Sequence, residues 1–255
     1  MSSTPASDRA PDPARFGSPI RHGRLVVPPA ASPAGLDAAL AVRALAFRGG
    51  PGATDRDRWD TACLHLLAGP AGGPVLATLR LLPHPEGRIA GYAAQHYGLQ
   101  ALAARPGPAL ELGRLCLHPD HADPDLVRLV WAGGARVARA WGAAGLVGCT
   151  SLPGPDPAPL APALALLARR HLGPAGLRPH PRAPETRALA DFTGAETPDA
   201  AALLPPLLRA YLALGGWVGA DLVIDRDLGT CHLFTCLELD TMPPARRDRL
   251  RALAG

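Results

Sequence analysis

Short apolar runs, separated by loops rich in Gly and Pro, recur along this chain and predict buried strands. The runs lie at 63–68, 75–82, 110–117 and 217–225. The first two flank the sequence GPAGGP, which is a hairpin signal. The sequence DRDLGT follows the last run and predicts a closing hairpin with residues 232–239.

Helices are predicted between these runs. The i, i+3, i+4 apolar spacing and the end signals indicate helices from Ser32-Pro33 to Phe47 and from Pro124 to Trp141, and a short charged helix is predicted from Pro243 to Ala254. In the first helix, Arg43 lies along the line of apolar residues, so its guanidinium is predicted beside the apolar face and not away from it.

The order of these elements, with hairpins and few crossovers, predicts an α+β fold in which helices flank a mixed β-sheet. A length of 255 residues suits one large domain or two small ones, and one domain is predicted here for residues 23–255. Residues 1–22 are rich in Pro and Ser and are predicted to form a disordered tail. The chain has no signal-peptide pattern and no uninterrupted apolar run long enough for a membrane span, so a cytoplasmic protein is expected.

The charged residues narrow the functional classes. The chain contains 26 Arg and no Lys, which excludes a P-loop lysine and Schiff-base chemistry. A net charge of +4 with 4% aromatic residues is weak for a nucleic-acid binder, and no nucleic-acid partner is expected. The basic balance suits an acidic protein partner or peripheral contact with an anionic membrane face.

The five cysteines are scattered and odd in number, which is typical of reduced thiols and not of a disulfide framework. Cys231, His232 and Cys236 lie close together, but the second pair of ligands that zinc sites use is missing. We therefore predict no metal site.

The most informative stretch is LELGRLCL, residues 110–117. In a regular strand Glu111 and Arg114 would face opposite sides, but Gly113 between them suggests a β-bulge. One extra residue would bring the two charged side chains to the same side of the strand. Such a pair can serve chemistry, or it can be a structural salt bridge.

A second polar group lies at Asp55-x-Asp57-x-x-Asp60. These three carboxylates can bind a cation, or they can form a solvated turn; the spacing does not match a calcium-binding loop. Arg80 lies inside an apolar strand, where an unpaired guanidinium would be costly. It therefore needs a carboxylate partner from the protein or from a ligand.

These residues together resemble two related families, the acyl-homoserine-lactone synthases and the L-ornithine N-alpha-acyltransferases that make lyso-ornithine lipid. The resemblance rests on Arg43-x-x-x-Phe47, Asp55-x-Asp57-x-x-Asp60, Thr78-Leu79-Arg80-Leu81-Leu82 and Glu111-Leu112-Gly113-Arg114. The second family fits better, through RWDTACLHLLAG at 58–69, ELGRLCLHPDH at 111–121, GCTSLPGPD at 148–156 and the long segment at 203–230 that begins LLPPLLRAYLALGG. The similarity runs from about residue 24 to residue 245.

The resemblance implies a GNAT-like N-acyltransferase that moves a 3-hydroxyacyl chain from acyl carrier protein to the α-amine of ornithine. It implies Glu111 and Arg114 as catalytic residues, with Glu111 as the base. The implied substrate-binding residues are Arg43, Phe47, Asp55, Asp57, Asp60 and Arg80. No resident cofactor is expected, because the acyl donor is the carrier protein's thioester, and a separate O-acyltransferase is expected to complete the lipid.

The sequence leaves open which amino-acid substrate is acylated. The chain departs from the family pattern at Leu64, at Ala44 and Ala46, and in the final hairpin at 228–232, which bears on the choice of amino acid. Acylation of another amino acid such as glutamine is one alternative, and acyl-homoserine-lactone synthesis is another.

Overall fold

The computed structural model describes residues 16–50, 52–121, 123–194, 199–246 and 248. Its strands are β1 Ile20–His22, β2 Leu25–Val27, β3 Leu64–Pro70, β4 Ala77–His84, β5 Tyr97–Gly98, β6 Ala109–Leu117, β7 Gly145–Pro153, β8 His180–Pro181, β9 Thr186–Ala188, β10 Trp217–Asp225 and β11 Thr230–Glu238. Its helices are α1 Pro33–Arg48, α2 Ala93–His96, α3 Gln100–Ala103, α4 Pro124–Trp141, α5 Ala161–Arg170 and α6 Pro206–Ala213.

The chain divides into two compact units. Among the described residues, unit 1 contains those up to Pro85, those from Leu110 to Ala143, and Asp248. Unit 2 contains Glu86–Ala109 and Ala144–Arg246. The single domain expected for residues 23–255 stays a prediction.

In unit 1, strands β1, β2, β3 and β4 pair antiparallel in that order, and β6 lies next to β4. Helix α4 packs against β3 and β4. Two glycines of α4 allow this close approach: a Cβ placed on Gly133 would lie 2.6 Å from Leu66 Cδ1, and one on Gly134 would lie 3.1 Å from Leu79 Cδ2. The predicted helix from Pro124 to Trp141 is therefore confirmed, and it covers an apolar face of these strands.

Helix α1 begins and ends with local signals that the sequence already contained. The Ser32 side chain accepts a hydrogen bond from the Gly35 N–H at 3.2 Å, which caps the first turn. Gly49 ends the helix in the left-handed conformation, with a φ of 78°. The helix packs against β3 and β4, and it buries Arg43 completely.

In unit 2, strands β7, β11, β10 and β9 pair antiparallel in that order. Strand β11 is buried on both faces, because alternate residues enter two apolar clusters. Leu233 packs with Leu164 of α5 and Leu208 of α6. Phe234 packs with Tyr97 in the second cluster.

The N-terminal boundary differs from the sequence prediction. We predicted a disordered tail over residues 1–22, but Ile20–His22 pair with Leu25–Val27 as strand β1. The buried side chains of Phe16 and Ile20 explain the difference, because they provide apolar surface that the short hairpin can bury. Residues 1–15 and most of the helix predicted over 243–254 lie outside the described residues.

Each helix within the described residues is too short or too polar to cross a lipid bilayer.

Candidate active site

Strand β6 contains a left-handed residue at the stretch that the sequence singled out. Arg114 has a φ of 53°, and it is the one left-handed residue other than glycine in the part of the chain that the structure describes. This conformation costs an L-residue about 1–2 kcal/mol, so surrounding contacts must hold it in place. The irregularity was predicted at Gly113 and lies one residue later.

The left-handed residue changes the side of β6 that Arg114 faces. Leu112 of β6 and Leu79 of β4 both approach Gly134 of α4, at 3.9 and 3.1 Å from a Cβ placed there. Arg80 follows Leu79 and therefore faces the opposite side of β4. Regular alternation along β6 would place Arg114 with Leu112, on the α4 side, but the contacts of Arg114 lie on the side of Arg80.

Glu111 also lies on the side of Arg80. Its Oε2 atom is 2.9 Å from His84 Nε2, and His84 shares a face of β4 with Arg80, four residues earlier. Arg80 and Arg114 both approach Asp57, with N–O distances of 2.6 and 3.7 Å. The prediction that Glu111 and Arg114 face one side of the strand is confirmed.

Arg43 is the buried centre of the acidic group. Its Nε donates to Asp55 Oδ2 at 2.8 Å, and its Nη1 donates to Asp60 Oδ1 at 2.5 Å. All three side chains are essentially inaccessible to solvent. The two carboxylates therefore neutralise a guanidinium that would otherwise be costly to bury.

Two more arginines complete this network. Arg80 Nη1 donates to Asp57 Oδ1 at 2.6 Å and to Asp60 Oδ1 at 2.9 Å. Arg114 Nε donates to Asp55 Oδ2 at 2.8 Å. The carboxylate partner that the sequence required for Arg80 is thus supplied by the protein itself.

The three aspartates differ in accessibility. The side chains of Asp55 and Asp60 are 0% and 1% exposed, whereas that of Asp57 is 24% exposed. The backbone N–H of Asp57 donates to Asp60 Oδ2 at 2.8 Å, which holds the exposed carboxylate above the buried pair. Of these three aspartates, Asp57 is the one whose side chain is partly accessible to solvent, although its Oδ2 atom is buried.

Two members of the network, Asp60 and Arg80, have pKa values that their partners shift away from the neutral range. Burial alone would raise the pKa of Asp60, but hydrogen bonds from Arg43, from the Asp57 N–H and from Arg80 lower it to about 2. Burial would likewise lower the pKa of Arg80, but the Asp57 and Asp60 carboxylates hold it above its ordinary value. Both groups stay ionised near pH 7.

His65 of β3 holds the backbone of Asp60 in place. Its Nε2 lies 3.0 Å from the backbone oxygen of Asp60, and the side chain is 4% exposed. Burial lowers the pKa of His65 below its ordinary value, so the imidazole is neutral near pH 7 and Nε2–H donates to the carbonyl.

His84 is a residue of this site that the sequence analysis missed. The signal was present: His84 is four residues after Arg80 in a strand, which places both on one face. The apolar run that predicts this strand ends at residue 82, whereas β4 continues to His84.

Phe47, at the C-terminal end of α1, lies near the same group. The Arg114 guanidinium carbon is 5.7 Å from the centroid of the Phe47 ring, which is cation–π geometry. The structure thus places all eight residues predicted for the site within unit 1, and each of them contacts at least one residue of this cluster or its neighbour His84.

Comparison with known proteins identifies the family. The family model for the acetyltransferase (GNAT) domain matches residues 44–132, which include every predicted site residue except Arg43. The L-ornithine N(alpha)-acyltransferase of Rhodobacter capsulatus is 32% identical over 202 residues, covering 76% of this chain and 78% of that protein. The chain belongs to the L-ornithine N(alpha)-acyltransferase family.

A second relative of this family has a similar sequence identity. The L-ornithine N(alpha)-acyltransferase of Rhizobium meliloti is 32% identical over 232 residues, covering 82% of this chain and 78% of that protein. Among solved structures, FeeM, an N-acyl amino acid synthase from uncultured soil microbes, has a TM-score of 0.48 at 11% identity, covering 88% of this chain and 93% of its own. The predicted GNAT-like α+β fold class is confirmed by the family match.

The thiols of this family member differ from catalytic thiols. Burial raises the pKa of Cys63 and of Cys116 to about 12, so both thiols stay protonated near pH 7. Since the thiolate is the nucleophile, neither cysteine is suited to forming an acyl-enzyme. Within the described residues, no group of three or more His, Cys, Asp or Glu side chains is arranged to hold a metal ion.

Proposed function

We propose that this protein transfers a 3-hydroxyacyl chain from acyl carrier protein to the α-amine of L-ornithine, giving lyso-ornithine lipid. The observation that carries the proposal is the identity of 31–32% to four curated L-ornithine N(alpha)-acyltransferases. These matches cover 73–82% of this chain. The buried carboxylate on the irregular strand supports it, because acyl transfer to an amine needs a base.

The reaction needs neither an acyl-enzyme nor a resident cofactor. The amine nitrogen attacks the thioester carbonyl carbon, a C–N bond forms, and the C–S bond breaks. The base takes one proton from the attacking nitrogen and returns it to the departing sulfur, so the carrier protein leaves as a thiol and the base is restored. The raised pKa values of Cys63 and Cys116 favour this direct route.

Glu111 is the base in this proposal, acting on the amine directly or through one water. Its position beside the irregular residues Gly113 and Arg114 supports the assignment, because backbone N–H groups at a bulge can stabilise the oxyanion of the tetrahedral intermediate. Arg114 acts with it: its side chain is 9% exposed, and its guanidinium suits the α-carboxylate of the amino acid.

Asp57 receives the second, positively charged amine of ornithine. Its partial exposure supports this role, whereas Asp55 and Asp60 are enclosed by Arg43. Arg43, Asp55, Asp60 and Arg80 then act in substrate binding indirectly, by holding Asp57 in place. Phe47 offers an apolar surface beside Arg114 for the methylene groups of the amino acid.

The acyl donor is the carrier protein and not coenzyme A. The segment after β6, HPDHADPDL, lacks the Arg/Gln-x-x-Gly-x-Gly loop that holds coenzyme A pyrophosphate in many N-acetyltransferases. Acyl carrier proteins are strongly acidic, and a chain with 26 Arg and no Lys suits such a partner. We place the reaction in the cytoplasm, with release of the lipid product at the inner membrane face.

A mass-resolved assay tests the proposal. The purified protein is incubated with 3-hydroxyacyl carrier protein and an equimolar mixture of ornithine, glutamine and S-adenosylmethionine, and the amide products are identified. A parallel reaction replaces the carrier protein with 3-hydroxyacyl coenzyme A. The expected product is N-α-(3-hydroxyacyl)ornithine, formed faster from the carrier protein.

Each other product contradicts a different part of the proposal. An acyl-glutamine product would overturn the amino acid, and an acyl-homoserine lactone would overturn the family-based substrate class. Equal rates with coenzyme A would overturn the donor. The Glu111→Gln variant serves as the control for uncatalysed acylation of the amine.

A further inference from the structure

A buried contact between His84 and Glu111 lies at the proposed base. His84 Nε2 is 2.9 Å from Glu111 Oε2, and each side chain is 5% exposed. The two residues come from neighbouring strands, β4 and β6, and are 27 positions apart in the chain. The contact thus depends on the fold and not on local sequence.

The chemistry of the two groups fixes the direction of this hydrogen bond. A carboxylate that is ready to accept a proton is ionised, and an ionised carboxylate only accepts hydrogen bonds. His84 must then carry its proton on Nε2 and donate it to Glu111. The imidazole thereby stabilises the charge of Glu111 and holds the carboxylate in one orientation.

Several of the surrounding charges belong to the network already described. The thiol of Cys63 lies within electrostatic range of Glu111, and also of Arg80, Asp60 and Asp57. Arg80 donates to Asp57 and Asp60, so its charge is committed to that pair of carboxylates. His84 is the group whose hydrogen bond reaches the Glu111 carboxylate from β4.

We propose that His84 is a positioning residue for the base: it holds the Glu111 carboxylate in the orientation from which that carboxylate takes the proton of the attacking amine. This inference rests on the proposed function of Glu111. It adds His84, which lies outside the family motifs, and the action of the base then depends on the His84–Glu111 hydrogen bond.

A double-mutant cycle tests the inference. The single variants are His84→Phe, which removes the donor, His84→Gln, which keeps a donor that does not titrate, and Glu111→Gln. We expect His84→Phe to lower kcat roughly 10-fold to 100-fold, with the KM for ornithine changed less than about threefold. In the Glu111→Gln background, His84→Phe should cause no further loss, because its effect passes through the carboxylate.

The pH profile separates positioning from simple packing. We expect His84→Gln to recover most of the kcat lost in His84→Phe, and to move the acid limb of kcat/KM relative to the wild type. His22→Gln, a change at an exposed histidine of β1, is the matched control and should leave both quantities unchanged. An equal loss of kcat from His84→Phe with and without Glu111 would overturn the inference, and so would an unchanged pH profile in His84→Gln.

Failure of the proposed function gives a different result from failure of this inference. If the wild type acylates another amine instead of ornithine, the same cycle is measured with that amine. The imidazole ¹⁵N signals of His84 provide a readout without substrate. We expect the Nε2-protonated form in the wild type and a change in these signals in Glu111→Gln; signals that stay the same would overturn the pairing.

Discussion

Among the described residues, most of the buried charged side chains lie in unit 1. In unit 1, the faces of β4 and β6 that contain Arg80 and Glu111 are buried and charged. In unit 2, β11 places Leu233 in one apolar cluster and Phe234 in the other. The β4 and β11 strands are equally well enclosed, so burial alone does not distinguish them.

The difference lies in what the buried groups cost. An apolar side chain gains free energy when it leaves water, whereas a charged one loses hydration that partners must replace. Unit 1 keeps Arg43 inaccessible by surrounding it with Asp55 and Asp60. Buried charges and a strained backbone both cost free energy, and proteins keep such features mainly at functional sites. The charged network around Arg114 is therefore the expected functional site.

The largest expected effect is on catalysis. Glu111→Gln keeps the shape of the side chain and removes its basicity, so we expect kcat to fall by about 10² to 10⁴. Steady-state kinetics with 3-hydroxyacyl carrier protein and ornithine measure this loss. A variant with near wild-type kcat across pH 7–9 would exclude the general base and leave positioning as the source of the rate.

The next largest effect is on stability, and it is measured with one substitution in the interior of each unit. Arg43→Met leaves Asp55 and Asp60 buried without their shared partner, and we expect a loss of about 3–5 kcal/mol in the free energy of unfolding. Leu233→Ala in unit 2 removes apolar contacts and creates a cavity, for a loss of about 2–5 kcal/mol. Denaturant unfolding of both variants measures these losses.

Activity then separates the two variants. Corrected for the folded fraction, Leu233→Ala should retain the kcat and the KM of the wild type. Arg43→Met should raise the KM for ornithine, because Asp57 loses the buried network that holds it. If the two variants behaved alike after this correction, the charged interior would be structural only.

Much of unit 1 was predictable because its signals are local. The cap at Ser32, the glycine after Arg48 and the proline at position 124 marked two helices within a residue or two. The carboxylates at 55, 57 and 60 were visible as a group, and an arginine within an apolar strand required an acidic partner. These inferences need only spacing and the cost of burying a charge.

The sequence did not show which arginine pairs with which aspartate. The sharing of Asp55 by Arg43 and Arg114 depends on where three separate segments meet, which no spacing gives. A β-bulge was predicted at Gly113 because a glycine inside a strand often marks one, yet the left-handed residue is Arg114, one position later, where contacts of its guanidinium hold it. His84 was missed because the strand was ended too early.

A smaller effect concerns substrate binding. Asp57→Asn removes the negative charge of the accessible aspartate and keeps its size, so we expect the KM for ornithine to rise about 10-fold while kcat changes less. The test uses ornithine and, as a matched acceptor without the second positive charge, norvaline. An equal rise of KM for both acceptors would show that Asp57 does not contact the side-chain amine.

The smallest effect is the response of stability to acid. The pKa of His65 is lowered in the folded protein from its ordinary value of 6.5, mainly by burial, so the unfolded chain binds the proton more tightly. Stability from this group is complete above pH 6.5 and is lost as the pH falls below it. Asp60 acts in the same direction at lower pH, since its pKa is about 2 in place of 3.8, and its contribution is lost as the pH falls from 3.8 towards 2.

Unit 2 provides the comparison for this last effect. Burial and the neighbouring Arg170 also lower the pKa of His171, but that side chain is only partly buried. As the pH falls, each histidine lowers the free energy of unfolding by at most about 1.4 kcal/mol per pH unit, because it binds at most one extra proton on unfolding. Denaturant unfolding between pH 8 and pH 5 should therefore give a flatter profile in His65→Gln than in His171→Gln. If the free energy of unfolding depended less on pH in His171→Gln than in His65→Gln, the acid-sensitive group would lie in unit 2. The charged interior of unit 1 would then be no more sensitive to acid than the apolar interior of unit 2.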